Sequence, residues 1–456
     1  MTRPPVVIEG CAVATMDGAG TEYASGHLVV EDGEIVAVGS GPAPQLPGAR
    51  RVDGRDSLLT PGLVNCHHHL FQWLTRGLAQ QRNLFEWLGE LLPVWGHLDP
   101  ERMHVAAQAS LAALARSGCT TAADHPYLFP TQAADLLAAE VDAAGASGLR
   151  LHVARGSMDL GTSRGGLPPD ELVEDRDAAL AETEAAIDRF HDPSPGSRCR
   201  VAVAPCAPFA VTPELMTEAA LLARSRAVRL HTHLAETAEE DAFCRERFGV
   251  RPVEYLADLG WLGDDVWLAH CVHLDDEEVR LLGRVGTGVA HCPTSNSRLG
   301  AGIAPVRALL RAGAPVGLGV DGAASNEVGA LDAEMHQALL AARLRDGPAA
   351  LTARGALSLA TREGARCLGR SGELGSLEVG KLADVALWRL DGLDHRGIAD
   401  PVTALVFGPA PEVALLLVGG DVVVEDGELR TLDEAEIAKD VERASREIVE
   451  AARDEA

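Results

Sequence analysis

Gly62-Leu63-Val64-Asn65-Cys66-His67-His68-His69 decides how this chain is read, because a short apolar run ends at once in three histidines. On an extended strand residues two apart point the same way. His67 and His69 can therefore share one cation while His68 faces elsewhere. Alone, the triplet stays ambiguous between a metal site and a polar strand end.

The same pattern recurs along the chain. Further apolar runs occupy residues 120–123, 149–153, 200–204, 228–230, 266–269, 288–290 and 315–320, making eight with 62–64, and each is followed within two residues by a reactive or polar side chain. The fifth closes as His231-Thr232-His233-Leu234-Ala235-Glu236, the sixth as His270-Cys271-Val272-His273, the seventh as His291-Cys292-Pro293 and the eighth as Asp321-Gly322. Ala-rich stretches with helical character, such as 101–117 and 332–345, separate the runs. Short apolar strands alternating with helices predict an α/β fold with a parallel sheet, and eight of them predict a (β/α)₈ TIM-type barrel whose strand ends converge on one face. Imidazoles with one carboxylate suit Zn²⁺ or Fe²⁺ acting on water. An Mg²⁺ or Ca²⁺ site would use oxygen donors.

Both chain ends read differently. Val6-Val7-Ile8, His27 to Val30 and Glu34 to Val38 alternate as strands, with Asp32-Gly33 as a hairpin turn, and the pattern returns in Ala383 to Trp388, Val413 to Val418 and Asp421 to Val424. The expected division is a small β-sandwich from residues 1–58 and 380–430, the barrel over 59–379, and a charged, solvated C-terminal helix over 431–456. The stretch Gly375 to Leu382 only imitates a phosphate-binding loop, since Leu382 stands where a Ser or Thr hydroxyl is needed.

At 456 residues the chain exceeds the roughly 250 of a bare barrel, so its core is not limited by size. A net charge of −27 repels phosphate backbones and excludes nucleic acid as a partner; a nucleobase substrate would be a free base. No apolar run approaches the ~18 residues of a membrane span, and the N-terminal apolar stretch 4–8 stops at Glu9. A cytoplasmic protein without a leader or membrane contact is expected. Nine cysteines without a C-x-x-C pair signal neither a disulfide framework nor a thiolate zinc site. No segment declares an interface, and homo-oligomer formation stays open.

Over nearly its whole length the chain resembles the amidohydrolase superfamily in its deaminase branch. The resemblance implies His67, His69, His233 and Asp321 as metal ligands, Glu236 as proton shuttle and His270 as an acid/base or polarising group. The His-x-x-Glu spacing selects His233 over His231, leaving His231, like His68, pointing away from the site. Members with two metals bridge them by a carboxylated lysine after the fourth strand; here that strand ends Ala204-Pro205-Cys206, which implies one divalent metal, zinc first and iron as the alternative. The zinc deaminases of the cytidine type use H-x-E with P-C-x-x-C, and neither half is present.

Four stretches resemble the bacterial 8-oxoguanine deaminases and the related hydroxytriazine aminohydrolases: His67 to Gln72 with Leu74-Thr75-Arg76, Arg155 to Met158 with Gly165 to Asp170, Ala204 to Phe209, and Leu318 to Asn326. The implied reaction is 8-oxoguanine to urate plus ammonia. Guanine or isoxanthopterin deamination and s-triazine amino- or chlorohydrolysis are the alternatives within the chemistry, and a non-catalytic scaffold is the alternative outside it. Gln72 can offer donor and acceptor to such a ring, Arg155 can bind a carbonyl oxygen, Trp87 can stack, and backbone around Cys206 can read a five-membered ring. Each has a plain alternative: Gln72 as a helix cap, Arg155 paired with a carboxylate, Trp87 in the core, Cys206 simply buried. His273 and His291 stand equally as rim or packing residues.

Overall fold

A computed structural model describes residues 4–130 and 135–454. Eight parallel strands close a TIM barrel in chain order: Leu63–Asn65, Cys119–Asp124, Arg150–Ser157, Cys199–Pro205, Leu230–Leu234, Val266–His270, Gly288–His291 and Val316–Leu318. The last pairs back onto the first through Leu318 and Asn65. Each apolar run of the sequence overlaps one strand. The third and fifth each extend four residues beyond their runs, and in the fifth His231 and His233 continue the ladder in register with Trp267 and Ala269. Helices cover the outside, as parallel strands buried on both faces require.

The loops at the C-terminal face run into helices that are firmly started. Asp99, Thr212, Thr237 and Asp275 each accept a backbone N–H from the first turn of the helix that follows, at about 1 kcal/mol per cap. The helix Leu84–Trp95, closed at its start by an Asn83–Glu86 capping box, buries Leu84, Trp87 and Leu88. Inside the barrel the fully buried Trp267 stacks on His231 at 4.4 Å between ring centroids, meets His152 at 5.4 Å, and donates its indole N–H to the Cys66 carbonyl. Removing a ring of that size from a closed core costs about 3–5 kcal/mol.

Both chain ends build one nine-stranded sheet. Its path runs Glu428–Leu429, Asp421–Glu425, Val413–Val418, Val385–Arg389, Ser57–Pro61, Val6–Ala14, Glu22–Glu31, Glu34–Ser40, with Arg50–Asp53 beside Val6–Ala14. Asp32 and Gly33, both at positive φ, form the expected tight hairpin turn. The sheet coils until its two wings face each other. Leu28, Val30 and Ile35 of one wing share an apolar cluster with Val385, Leu415 and Leu417 of the other. The Ala383 amide donates to the Gly33 carbonyl across the gap. Ser57–Pro61, entirely buried, joins the wings and leads into the first barrel strand.

The C-terminal helix Glu434–Asp454 is charged outside but not solvated all round. Ile437, Ala444 and Ile448 are buried, and Arg443 and Glu434 pair with Glu101 and Arg116 of the helix Pro100–Arg116. Among the described residues, no helix is long and apolar enough to cross a membrane.

Candidate active site

Strand alternation places His67 and His69 at the mouth of the barrel, and the eighth strand brings Asp321 against them. That approach depends on Gly319, where an added Cβ would lie 2.8 Å from the His67 Cβ. Asp321 itself sits at φ +64°, a conformation costly for a non-glycine residue, and its amide donates to the His67 carbonyl.

Hydrogen bonds fix the tautomer of each ring. His69 Nδ1 donates to the His125 carbonyl at 2.8 Å, and His233 Nδ1 donates to the Cys206 carbonyl at 2.7 Å. His231 Nδ1 donates to the Trp267 carbonyl at 2.9 Å, so its Nε2 is an acceptor, and the neighbour 2.9 Å away is His67 Nδ1. All three rings, 67, 69 and 233, therefore turn a bare Nε2 lone pair inward. Those of His69 and His233 lie 3.1 Å apart, and Asp321 Oδ1 lies 3.3 Å from His69 Nε2 and 3.5 Å from His67 Nε2. Lone pairs crowded this closely repel unless a cation lies among them. Donors arranged tetrahedrally around a zinc at ~2.05 Å are about 3.3 Å apart, so the set fits one divalent metal.

Charge agrees with that fit. Burial pushes the His67, His69 and His233 pKa values down, leaving neutral imidazoles, the form that binds metals.

Glu236 follows the fifth strand through Ala235 at φ +51°. Glu240 accepts both the Ala235 and Glu236 amides, at 2.8 and 2.9 Å, and so holds this turn. Although it stands just ahead of a helix, Glu236 is only 4% exposed. Burial, then the charge of Asp321, raises its pKa well above the ordinary value. His270 Nε2 lies 3.7 Å from Glu236 Oε2 and 3.9 Å from Asp321 Oδ2, and its Nδ1 is held by Asn296 Oδ1 at 3.0 Å.

One cavity opens onto these groups. It holds about 500 Å³ of space free of protein atoms, the mouth included, and His69, His233, Asp321, Glu236 and His270 line one side. The opposite wall is apolar, with Leu84, Trp87, Leu88, Met158, Leu167 and Phe209. Gln72 and Cys206 also line it. Trp87 is steadied by Trp95 and by a bond from its indole N–H to the Ala324 carbonyl, so it is both core and wall. The Cys206 carbonyl is spent on orienting His233 and so is not available to a ring; its buried thiol stays protonated.

Arg155 does not line the cavity. Glu174 takes its guanidinium in two bonds of 2.6 and 3.0 Å, the Gly156 carbonyl takes a third, and the group lies 4.1 Å over the Phe129 ring. His231 also departs from expectation: it points inward, one layer below His233, and supports His67. His68 is buried outside the donor group with both ring nitrogens unpartnered, and burial pulls its pKa down to about 3. His273 is tied to the Ala301 carbonyl, and the buried His291 does not reach the cavity wall.

Several residues were not singled out from sequence. His125, directly after the second strand, stacks on His233 at 4.9 Å and joins the group of imidazoles. Its position at a strand end was the available signal. Tyr127 and Ser325 come from loops and Asn296 from the short helix Pro293–Arg298, and none carries a spacing of its own.

Known proteins match this arrangement. An 8-oxoguanine deaminase from Pseudomonas aeruginosa is 49% identical over 416 residues, 90% of this chain and 92% of that protein. An isoxanthopterin deaminase from an unknown prokaryotic organism is 38% identical over 98% of each chain. Among solved structures, an atrazine chlorohydrolase from Arthrobacter aurescens TC1 complexed with zinc superposes with a TM-score of 0.92 at 35% identity, covering 96% of this chain and all of that one. The model of the amidohydrolase family matches residues 58–423. On the barrel, its histidine-rich mouth and these matches together, the chain belongs to the amidohydrolase family.

Proposed function

We propose that this protein is a metal-dependent deaminase of a free purine-like base, converting 8-oxoguanine and water to urate and ammonia. The observation that carries the reading is the buried Glu236 opening onto the same cavity as His69, His233 and Asp321, with the Nε2 atoms of the two histidines 3.1 Å apart. We assign those three histidines and Asp321 as ligands of one divalent metal, zinc ahead of iron. Bound there, the metal supplies the Lewis acidity that makes water a nucleophile near neutral pH.

Glu236 gives its proton to a ring nitrogen as water adds to the neighbouring amine-bearing carbon. Asp321 Oδ2, which faces His270 and Ser325, takes the proton that the water sheds. His270 sits between the two carboxyl groups and holds the incoming oxygen, with Asn296 fixing its ring. Asp321 returns that proton to the amine, and as ammonia leaves the hydroxyl of the adduct gives its own proton to Glu236, restoring both carboxyl groups. The apolar wall and Trp87 accept the flat ring.

The 49% identity to an 8-oxoguanine deaminase favours that substrate over guanine, isoxanthopterin or an s-triazine. A scaffold has no use for Glu236 beside the donor set. Nine unpaired cysteines suit a reducing cytoplasm. The test is ammonia release by zinc-loaded protein on 8-oxoguanine, guanine, isoxanthopterin and a hydroxy-s-triazine side by side. Fastest turnover of 8-oxoguanine is expected; silence on all four from metal-containing protein overturns the reading.

A further inference from the structure

Tyr127 stands at the cavity wall with a hydroxyl proton that no described residue takes. It lies three residues beyond the second barrel strand, and Gly156 of the third strand makes room for it, since a Cβ there would lie 2.6 Å from the Tyr127 Cα. Its ring is wedged edge-on against His69 at 4.9 Å and Phe71 at 5.4 Å, so its distance from the donor cluster is fixed by packing. The side chain is 4% exposed, and burial holds the phenol protonated. Its one hydrogen bond among the described residues is accepted, from Gln72 Nε2 at 3.3 Å.

Gln72 carries the complementary deficit. Its Oε1 is buried without a partner. Gly322, next to Asp321, is what lets it sit there, because a Cβ at that position would fall 1.8 Å from Oε1. The cavity thus presents one uncommitted O–H donor and one uncommitted carbonyl acceptor, joined to each other and beside the reacting end. Buried groups left in this state are costly, and a ligand that pairs both removes the cost.

Resting on the deaminase reading, we propose that Tyr127 is a specificity-determining residue: it donates to the ring carbonyl oxygen while Gln72 accepts the adjacent ring N–H. Together they read the –NH–C(=O)– edge next to the amine-bearing carbon of a fused 2-amino-4-oxopyrimidine. Contact with His69 puts Tyr127 at the metal end, so the oxygen read is the one on the six-membered ring, and the far oxygen of 8-oxoguanine is left to other residues. Guanine, 8-oxoguanine and isoxanthopterin share this edge. A site built around such a pair rejects rings that lack the oxygen.

The experiment compares binding to zinc-loaded wild type and Tyr127→Phe by calorimetry, using two rings without an amine to lose, 6,8-dioxopurine and 8-oxopurine, with ammonia release from 8-oxoguanine measured in parallel. Wild type should prefer 6,8-dioxopurine by about 100-fold, and Tyr127→Phe should cut that preference about tenfold while keeping its metal, the remainder resting on the ring N–H that Gln72 accepts. Equal weakening of both ligands would show that Tyr127 only packs the wall, and no weakening would show that it is idle; either overturns the proposal while ammonia release leaves the deaminase reading intact, and so does a Gln72→Leu/Tyr127→Phe pair no less selective than Gln72→Leu alone, which would show that Tyr127 acts only by holding Gln72. Binding of neither ring, with no ammonia released by wild type, would overturn both.

Discussion

Replacing His231 with phenylalanine removes the acceptor of His67 Nδ1–H and the donor to the Trp267 carbonyl. The His231 ring lies nearly parallel to Trp267, at 19° and 4.4 Å, and a phenyl ring keeps that stack. What is lost is the 2.9 Å bond that keeps the His67 proton on Nδ1 and the lone pair on Nε2. A buried N–H without an acceptor costs about 1–3 kcal/mol, and loss of a partner behind a metal-binding histidine weakens affinity about 10- to 100-fold, or about 1.4–2.7 kcal/mol. The assay is zinc competition against a chromophoric chelator near neutral pH, with circular dichroism to show that the fold persists. His231→Gln, whose Oε1 can accept the same proton, should recover part of the affinity. His68→Leu is the control and should bind zinc as the wild type does. Wild-type affinity in a folded His231→Phe protein would refute the tautomer argument, and loss of zinc from His68→Leu would show that the donor set is misassigned.

Glu236→Gln should keep its metal but lose at least about 100-fold in turnover, read by metal analysis beside ammonia release, because an amide cannot deliver the proton. Arg155→Met strands the Glu174 carboxylate and should destabilise the protein by about 3 kcal/mol in urea unfolding, with Arg155→Met/Glu174→Leu recovering much of the loss; a variant unchanged in stability but raised in KM would mark Arg155 as a substrate contact after all. Burial raises the Asp332 pKa to about 6, above its unfolded value. The folded state therefore holds that proton more tightly, and stability falls as pH rises from about 4 through 6. Asp332→Asn, which keeps the bond accepted from the Ala333 amide, should be more stable than wild type at neutral pH by about 1–3 kcal/mol, with the gap closing as pH falls toward 4.

The barrel was legible because its strands are buried on both faces and so write themselves as short apolar runs ending in polar side chains. Ser57–Pro61 was not, since it has the same buried character without a reactive end, and it joins the terminal sheet instead. Arg50–Asp53 alternates too briefly to be seen. The rule that placed His67 beside His69 applies equally to His231 and His233: residues two apart on one strand share a face, so His231 points inward one layer deeper. Spacing to Glu236 separates the two by role but not by direction. Arg155 lies on the third strand and its partner Glu174 in the following loop, a pairing no local pattern encodes. Tyr127 and Asn296 acquire their neighbours only when strands far apart in sequence close the barrel.

The most direct test of a single-metal deaminase is to strip the protein of metal and restore zinc stepwise while following urate formed from 8-oxoguanine. Turnover that rises from zero and saturates at one zinc per chain is the predicted result. Turnover in the metal-free protein, or none after one zinc is bound with a second required, would contradict the site built from His67, His69, His233 and Asp321.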